Sequence, residues 1–167
     1  MRILVAYYSL TGNTLKVAEA IFDEIPEPKE IKPLDEIQSL EGFDLTFVGF
    51  PILQFGPPPP IRAFLENQGQ SRNIALFVTH ASWRSPELSP MLDSWLRKCK
   101  AAASGVTLLG FFDCQGELSE ASAELLINSE IPQIRYFGSL RHMTIGHPDI
   151  TDLENARQFA RDIISDK

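Results

Sequence analysis

The chain has 167 residues, 44% hydrophobic and 22% charged, with a net charge of -7 and a pI near 4.9. That length supplies a sizeable core for a single domain of ordinary globular composition. The acidic balance argues against nucleic acid or an anionic membrane as the main partner.

No apolar run approaches the roughly 20 residues that span a bilayer, so no membrane insertion is expected. The start, MRILVAYYS, is too short and too strand-like for a signal peptide. Cys99 and Cys114 form neither a CxxC pair nor a disulfide framework, which points to a reduced, cytoplasmic setting.

In chain order, RILVAYY (2–8) predicts a buried strand and NTLKVAEAIFDEI (13–25) a helix. Val17, Ala20, Ile21 and Glu24/Ile25 fall at helical spacing, and Pro26 and Pro28 end that helix. EIKPL (30–34) predicts a short edge strand because Pro33 cannot donate to a ladder. FDLTFVGFP (43–51) predicts a strong strand, FGPPPP turns the chain, and a helix starts near Ile61. NIALFVTH (73–80) is a third buried run.

Residues 85–105 predict a helix capped by Ser85 with Pro86 at its first position, and Pro90 falls within the first turns. Leu88, Met91, Leu92, Trp95, Leu96 and Cys99 form its inward face. VTLLGFFDC (106–114) predicts the last strong strand and SEASAELLIN (119–128) a short helix. TDLENARQFARDII predicts a final helix with a Thr151/Glu154 capping box and Leu153, Ala156, Phe159, Ala160 and Ile163 facing inward. The 113–150 stretch is long for a connection and has no assigned role.

Strands that alternate with helices, each apolar on both faces, predict a three-layer α/β domain over 1–167. Five strands fit a doubly wound parallel sheet of order 2-1-3-4-5, whose ligands sit beyond the carboxyl ends of the strands. Three loops therefore carry the chemistry.

The first is SLTGNT (9–14). A helix N-terminus attracts a phosphate through unpaired amides and a partial positive charge. Ser9, Thr11 and Thr14 add hydroxyls, Asn13 adds an amide, and Gly12 allows close backbone approach beside Leu10. Neither GxxxxGK with Ser/Thr nor GxGxxG is present, so the loop suits a single phosphomonoester rather than a nucleoside triphosphate.

This loop after a first strand resembles the FMN-phosphate loop of flavodoxins, written Ser/Thr-x-Thr-Gly-x-Thr. The likeness extends over the chain in strand spacing, acidic balance and terminal helix. It implies a flavodoxin-like doubly wound five-stranded sheet and FMN as cofactor.

The second loop, GFPILQFGPPPP (49–60), lies where flavodoxins place a segment against the isoalloxazine ring. Gly49, Pro51 and Gly56 match that pattern, while Phe50 replaces a small hydroxyl residue and Leu53 a common aromatic. The resemblance gives Phe55 or Leu53 a flavin face to cover and gives the backbone of Leu53, Gln54, Phe55 and Gly56 its polar edge, with Ile52 beside them as a cofactor-binding candidate. The third loop, THASWRSPE (79–87), has Thr79, His80, Ala81 and Ser82 without the usual Gly-Asp and tyrosine. Trp83 is the candidate stacking ring, and His80 is a candidate to bond flavin or substrate. Cys114 and the His142/GHPD region are weaker candidates for a thiol and a metal site, and neither has a supporting ligand spacing.

The resemblance implies an FMN-binding electron carrier, a monomer or weak dimer. Residues 1–44 hold nine acidic against four basic residues, a charge suited to steering toward basic-surfaced redox partners. Two alternatives stay open: an FMN-dependent NAD(P)H:quinone-type or other small-molecule reductase, and a flavodoxin-like accessory module that has lost FMN.

Overall fold

Apolar, β-branched runs bounded by turn residues become the strands of a computed structural model that describes residues 1–166. β1 (Ile3–Tyr7) leads to α1 (Asn13–Glu24), β2 (Lys29–Pro33), β3 (Leu45–Pro51) and α2 (Pro59–Gln68). β4 (Asn73–His80), α3 (Ser89–Ala101) and β5 (Thr107–Gln115) follow, then α4 (Glu120–Ile127), α5 (Pro132–Ser139) and α6 (Ile150–Ser165). The sheet order is β2-β1-β3-β4-β5 and every pair is parallel, as the pattern predicted.

Side chains that alternate along each strand divide the core between the two faces. Leu4, Ala6, Val48, Phe50, Leu76 and Val78 pack against Ile61 and Leu65 of α2 and Leu92, Trp95, Leu96 and Cys99 of α3. Ile3, Val5, Phe47, Ala75 and Phe77 pack against Val17 and Ile21 of α1 and Ala156, Ala160 and Ile163 of α6. Gly49 permits this packing, because a Cβ there would stand 2.0 Å from ring atoms of Phe77. Glu24 faces α6 instead of the core and pairs with Arg161 at 3.1 Å.

Four details differ from the sequence expectations. β2 is half-buried throughout and β5 is largely so, with Leu108 38% exposed, because both are edges; only the inner strands are apolar and covered on both faces. α3 starts at Ser89, not at Pro86. A helix running from Pro86 through Pro90 would lack the amide of Pro90 one turn in and clash with the carbonyl behind it. The chain instead makes a turn, in which Ser85 Oγ accepts from the Leu88 amide at 3.2 Å, and restarts with Pro90 in its first turn.

α6 begins two residues earlier than expected. Asp149 Oδ1 accepts from the amides of Thr151 and Asp152 at 2.8 and 2.9 Å, and Asp152 Oδ2 accepts from the Asp149 amide at 2.9 Å. This aspartate pair is the capping box, in place of Thr151 and Glu154. The 113–150 stretch holds a helical hairpin, α4–α5, of which only α4 was expected. Among the described residues, no helix is long and apolar enough to cross a membrane.

Candidate functional site

The site begins where β1 gives way to α1. Gly12 caps the helix in a left-handed conformation (φ 93°), and Ser9 Oγ accepts from the amides of Gly12 and Leu15 at 3.2 and 3.3 Å. Asn13 and Thr14 are the first two helical residues, so their amides have no carbonyl behind them in the helix. Thr14 and Thr79 are buried and share a hydroxyl–hydroxyl bond of 2.8 Å, which ties the first loop to the third. Asn13 Nδ2 donates to the carbonyl of Glu117 at 2.9 Å and ties the first loop to the start of the α4–α5 segment.

Strand-end bonds fix the other loops over the sheet. The Ile52 amide donates to Thr79 at 2.9 Å, and the Gly116 amide donates to His80 at 2.8 Å. Between these loops lies one cavity with two ends. The polar end, about 130 Å³, is bordered by Ser9, Leu10, Thr11, Asn13 and Thr14, together with Pro51, Thr79 and Glu117. The apolar end, about 330 Å³, is bordered by Gln54, Phe55, Trp95, Leu125, Leu126 and Phe137. Ile52, Leu53, His80, Ala81, Leu118 and Ser122 border both, so the two ends adjoin.

Among the described residues no lysine or arginine borders either end, so an anion there meets helix amides, hydroxyls and an amide side chain. Glu117 would oppose an anion, but its carboxylate accepts from Arg141 Nη2 at 3.2 Å and from the Gly146 amide at 3.3 Å. That pairing offsets its charge.

The apolar end is shaped by a strained turn. Leu53 and Gly56 exchange backbone bonds of 2.9 and 3.1 Å, and Gln54 and Phe55 between them have φ of 48° and 66°. Left-handed non-glycine residues cost of order 1–3 kcal/mol each and persist where surroundings hold them. Here the Phe55 ring leans on Trp95 (centroids 5.1 Å, 34° between planes), and Trp95 meets Phe137 edge-on at 5.9 Å.

Trp83 borders neither end of the cavity, contrary to its expected stacking position. After Ala81 the chain heads away from the cavity, so that Arg84 reaches Asp93 at 3.1 Å and Asp113 at 3.3 Å. Trp95 and Phe137 supply the aromatic wall instead. Gly12 and Gly56 shape the loops without bordering the cavity.

His80 closes β4 with its side chain only 5% exposed. Its Nε2 lies 3.0 Å from Asp113 Oδ2, and a carboxylate accepts only, so Nε2 carries the hydrogen. Burial pushes the Asp113 carboxyl up, but the bond and charge of His80 and the Arg84 guanidinium outweigh it and hold the group below its ordinary value.

A depressed native value means stability that is fully present above the unfolded value, about 3.9, and is lost as pH falls through the lower native value. Asp113→Asn should therefore lose roughly 1–3 kcal/mol at neutral pH. Urea unfolding at stepped pH should show that deficit shrinking below about pH 4. A deficit constant with pH would remove the charge from the explanation.

The remaining candidates fall away from the cavity. Burial pushes the Cys99 thiol up to about 12 and the Cys114 thiol higher still, and neither borders the cavity. His147, Asp149 and Asp152 bring ligand-type atoms within 4.8 Å of one another. Their bonds serve the start of α6, where His147 Nδ1 lies 2.6 Å from Asp152 Oδ2.

A model of the flavodoxin domain family matches residues 4–161. The flavodoxin-like domain-containing protein BilS of Clostridioides difficile (strain CD3) is 30% identical, over 98% of this chain and 97% of that protein. Oxidised flavodoxin 2 from Bacillus cereus superposes with a TM-score of 0.57 at 16% identity, over 100% of both chains. A flavoprotein in complex with FMN from Lactobacillus acidophilus NCFM gives 0.54 at 22% identity, over 67% of this chain and 92% of that one. At such identities the solved structures speak for the fold alone, whereas the family match spans nearly the whole sequence. The chain belongs to the flavodoxin family.

Proposed function

We propose that the cavity holds FMN and that the chain is an electron carrier. One observation carries this reading: a polar pocket built on a helix N-terminus, with no lysine or arginine among the described residues that line it, adjoins an apolar aromatic pocket and shares six lining residues with it. A phosphomonoester suits the first end, and a planar ring suits the second. The residues fit the group, because the leading amides of α1 and the loop hydroxyls favour a dianion, while Arg141 offsets the charge of Glu117.

In this reading Ser9, Thr11, Asn13 and Thr14 hold the phosphate, with the Leu10 backbone beside them. The Pro51–Phe55 turn, Thr79, His80 and Ala81 border the ring, which packs toward Trp95 and Phe137. Bound FMN supplies the electron chemistry, and the protein orients it and limits its contact with water. Leu125, Ile131 and Tyr136 stand 77%, 52% and 50% exposed on α4–α5, among Glu120, Glu124 and Glu130. An apolar patch edged with acids suits a redox protein with a basic rim.

A second reading, an FMN-dependent reductase of small molecules, is favoured by the wall that α4–α5 builds over the apolar end. Titrating the purified chain with FMN while following flavin fluorescence tests both readings, and saturable quenching in the micromolar range or below is expected. An absence of quenching would leave the accessory-module reading. Rapid NAD(P)H oxidation by the FMN-loaded chain alone would overturn the carrier in favour of the reductase.

A further inference from the structure

His80 has two chemically different ends. Nε2 is committed to Asp113, while Nδ1 is buried and meets no partner among the described residues. A buried acceptor left unpaired costs about 1–3 kcal/mol, so Nδ1 calls for a ligand N–H or a proton. His80 borders both ends of the ligand cavity. Asp113 borders a different cleft, on the outer side, together with Arg84, Asp93, Arg97 and Lys100. The imidazole therefore sits between a shielded cavity and a charged surface.

The charged groups around it come from four elements. Asp113 faces it from β5, and Arg84 from the β4–α3 loop, with Asp93 of α3 behind that arginine. Across the cavity Glu117 lies on the β5–α4 connection and is paired with Arg141. A carboxylate on Nε2–H fixes the tautomer and stabilises the imidazolium, as in other Asp–His pairs.

We propose that His80 is the proton-exchanging residue of this cavity, with Asp113 as its positioning residue. The inference rests on the FMN reading above. When an external reductant, a reduced redox protein or nicotinamide, delivers two electrons to the flavin, the Nδ1–H bond of the imidazolium breaks. Its proton forms a new N–H bond on the flavin, and the imidazole is left neutral. Oxidation of the flavin reverses the sequence and returns the proton to Nδ1.

The test uses the whole chain, loaded with FMN and labelled with ¹⁵N-histidine, oxidised and then reduced by dithionite. On reduction the Nδ1 signal of His80 should change from hydrogen-bearing to lone-pair type while Nε2 keeps its hydrogen. The signals of His142 and His147 should not move. The flavin reduction potential plotted against pH should bend at the same pH at which the His80 signal changes.

In His80→Gln, measured at saturating FMN, that bend should vanish. In Asp113→Asn the hydrogen should no longer be confined to Nε2, a tautomer change that loss of packing alone would not produce. Identical His80 nitrogens in both redox states would overturn the proposal, and so would a bend that survives in His80→Gln. A wild-type chain that takes up no FMN would overturn the underlying reading, and the proposal with it. Normal FMN uptake with an unchanged ring would overturn the proposal alone.

Discussion

Thr11→Ala should weaken FMN binding roughly 10- to 100-fold, the cost of one hydrogen bond to a charged group, and leave riboflavin binding nearly unchanged. Thr11 is the discriminating position because it is exposed and borders the polar end of the cavity. Its neighbours also carry structural bonds: Ser9 caps α1, and Thr14 holds Thr79. Replacing either of those would mix lost affinity with lost stability. The urea midpoint of Thr11→Ala should stay within about 0.5 kcal/mol of wild type. Parallel titrations with FMN and riboflavin measure the effect, and equal losses for both ligands would remove the phosphate from this loop.

The loop between β1 and α1 was legible because its signature is local. A strand, five small or polar residues and a helix start are contiguous, and β1 and α1 carry them much as the pattern required. The sheet order followed from strand spacing and the proline in β2 for the same reason. Residues that act across elements were harder to read.

Trp95 read only as the inward face of a helix, and nothing in its spacing told that this face ends at a cavity. Its partner Phe137 sits on α5, an eight-residue helix with Pro132 at its start and Gly138 near its end. Such a segment has weak helical propensity and depends on packing with α4. The His80–Asp113 pair did leave a signal. Two polar residues close otherwise apolar strands, and β4 and β5 are neighbours in the predicted order, with Val78 beside Asp113 in the register. Trp83 misled because aromatic type was matched to a loop position without knowing which way that loop turns.

Trp95→Ala should weaken FMN and riboflavin alike, unlike Thr11→Ala, and have a far larger effect on stability. The indole is 7% exposed, packs into the α2/α3 face of the core and makes ring contacts with both Phe55 and Phe137. Truncating a buried tryptophan costs roughly 3–5 kcal/mol, and each ring pair adds about 0.5–1.5 kcal/mol to what is lost. The loss extends to the turn, because Gln54 and Phe55 hold left-handed conformations that Trp95 helps to maintain. Without that support the turn relaxes, and the apolar end loses two walls together.

FMN and riboflavin carry the same ring, so both should weaken by similar factors in Trp95→Ala. Trp95→Phe keeps an aromatic contact and should recover most of the stability. Urea unfolding reads the first effect and paired flavin titrations the second. If Trp95→Phe folds well and binds FMN poorly but riboflavin normally, the aromatic end is not where the ring lies.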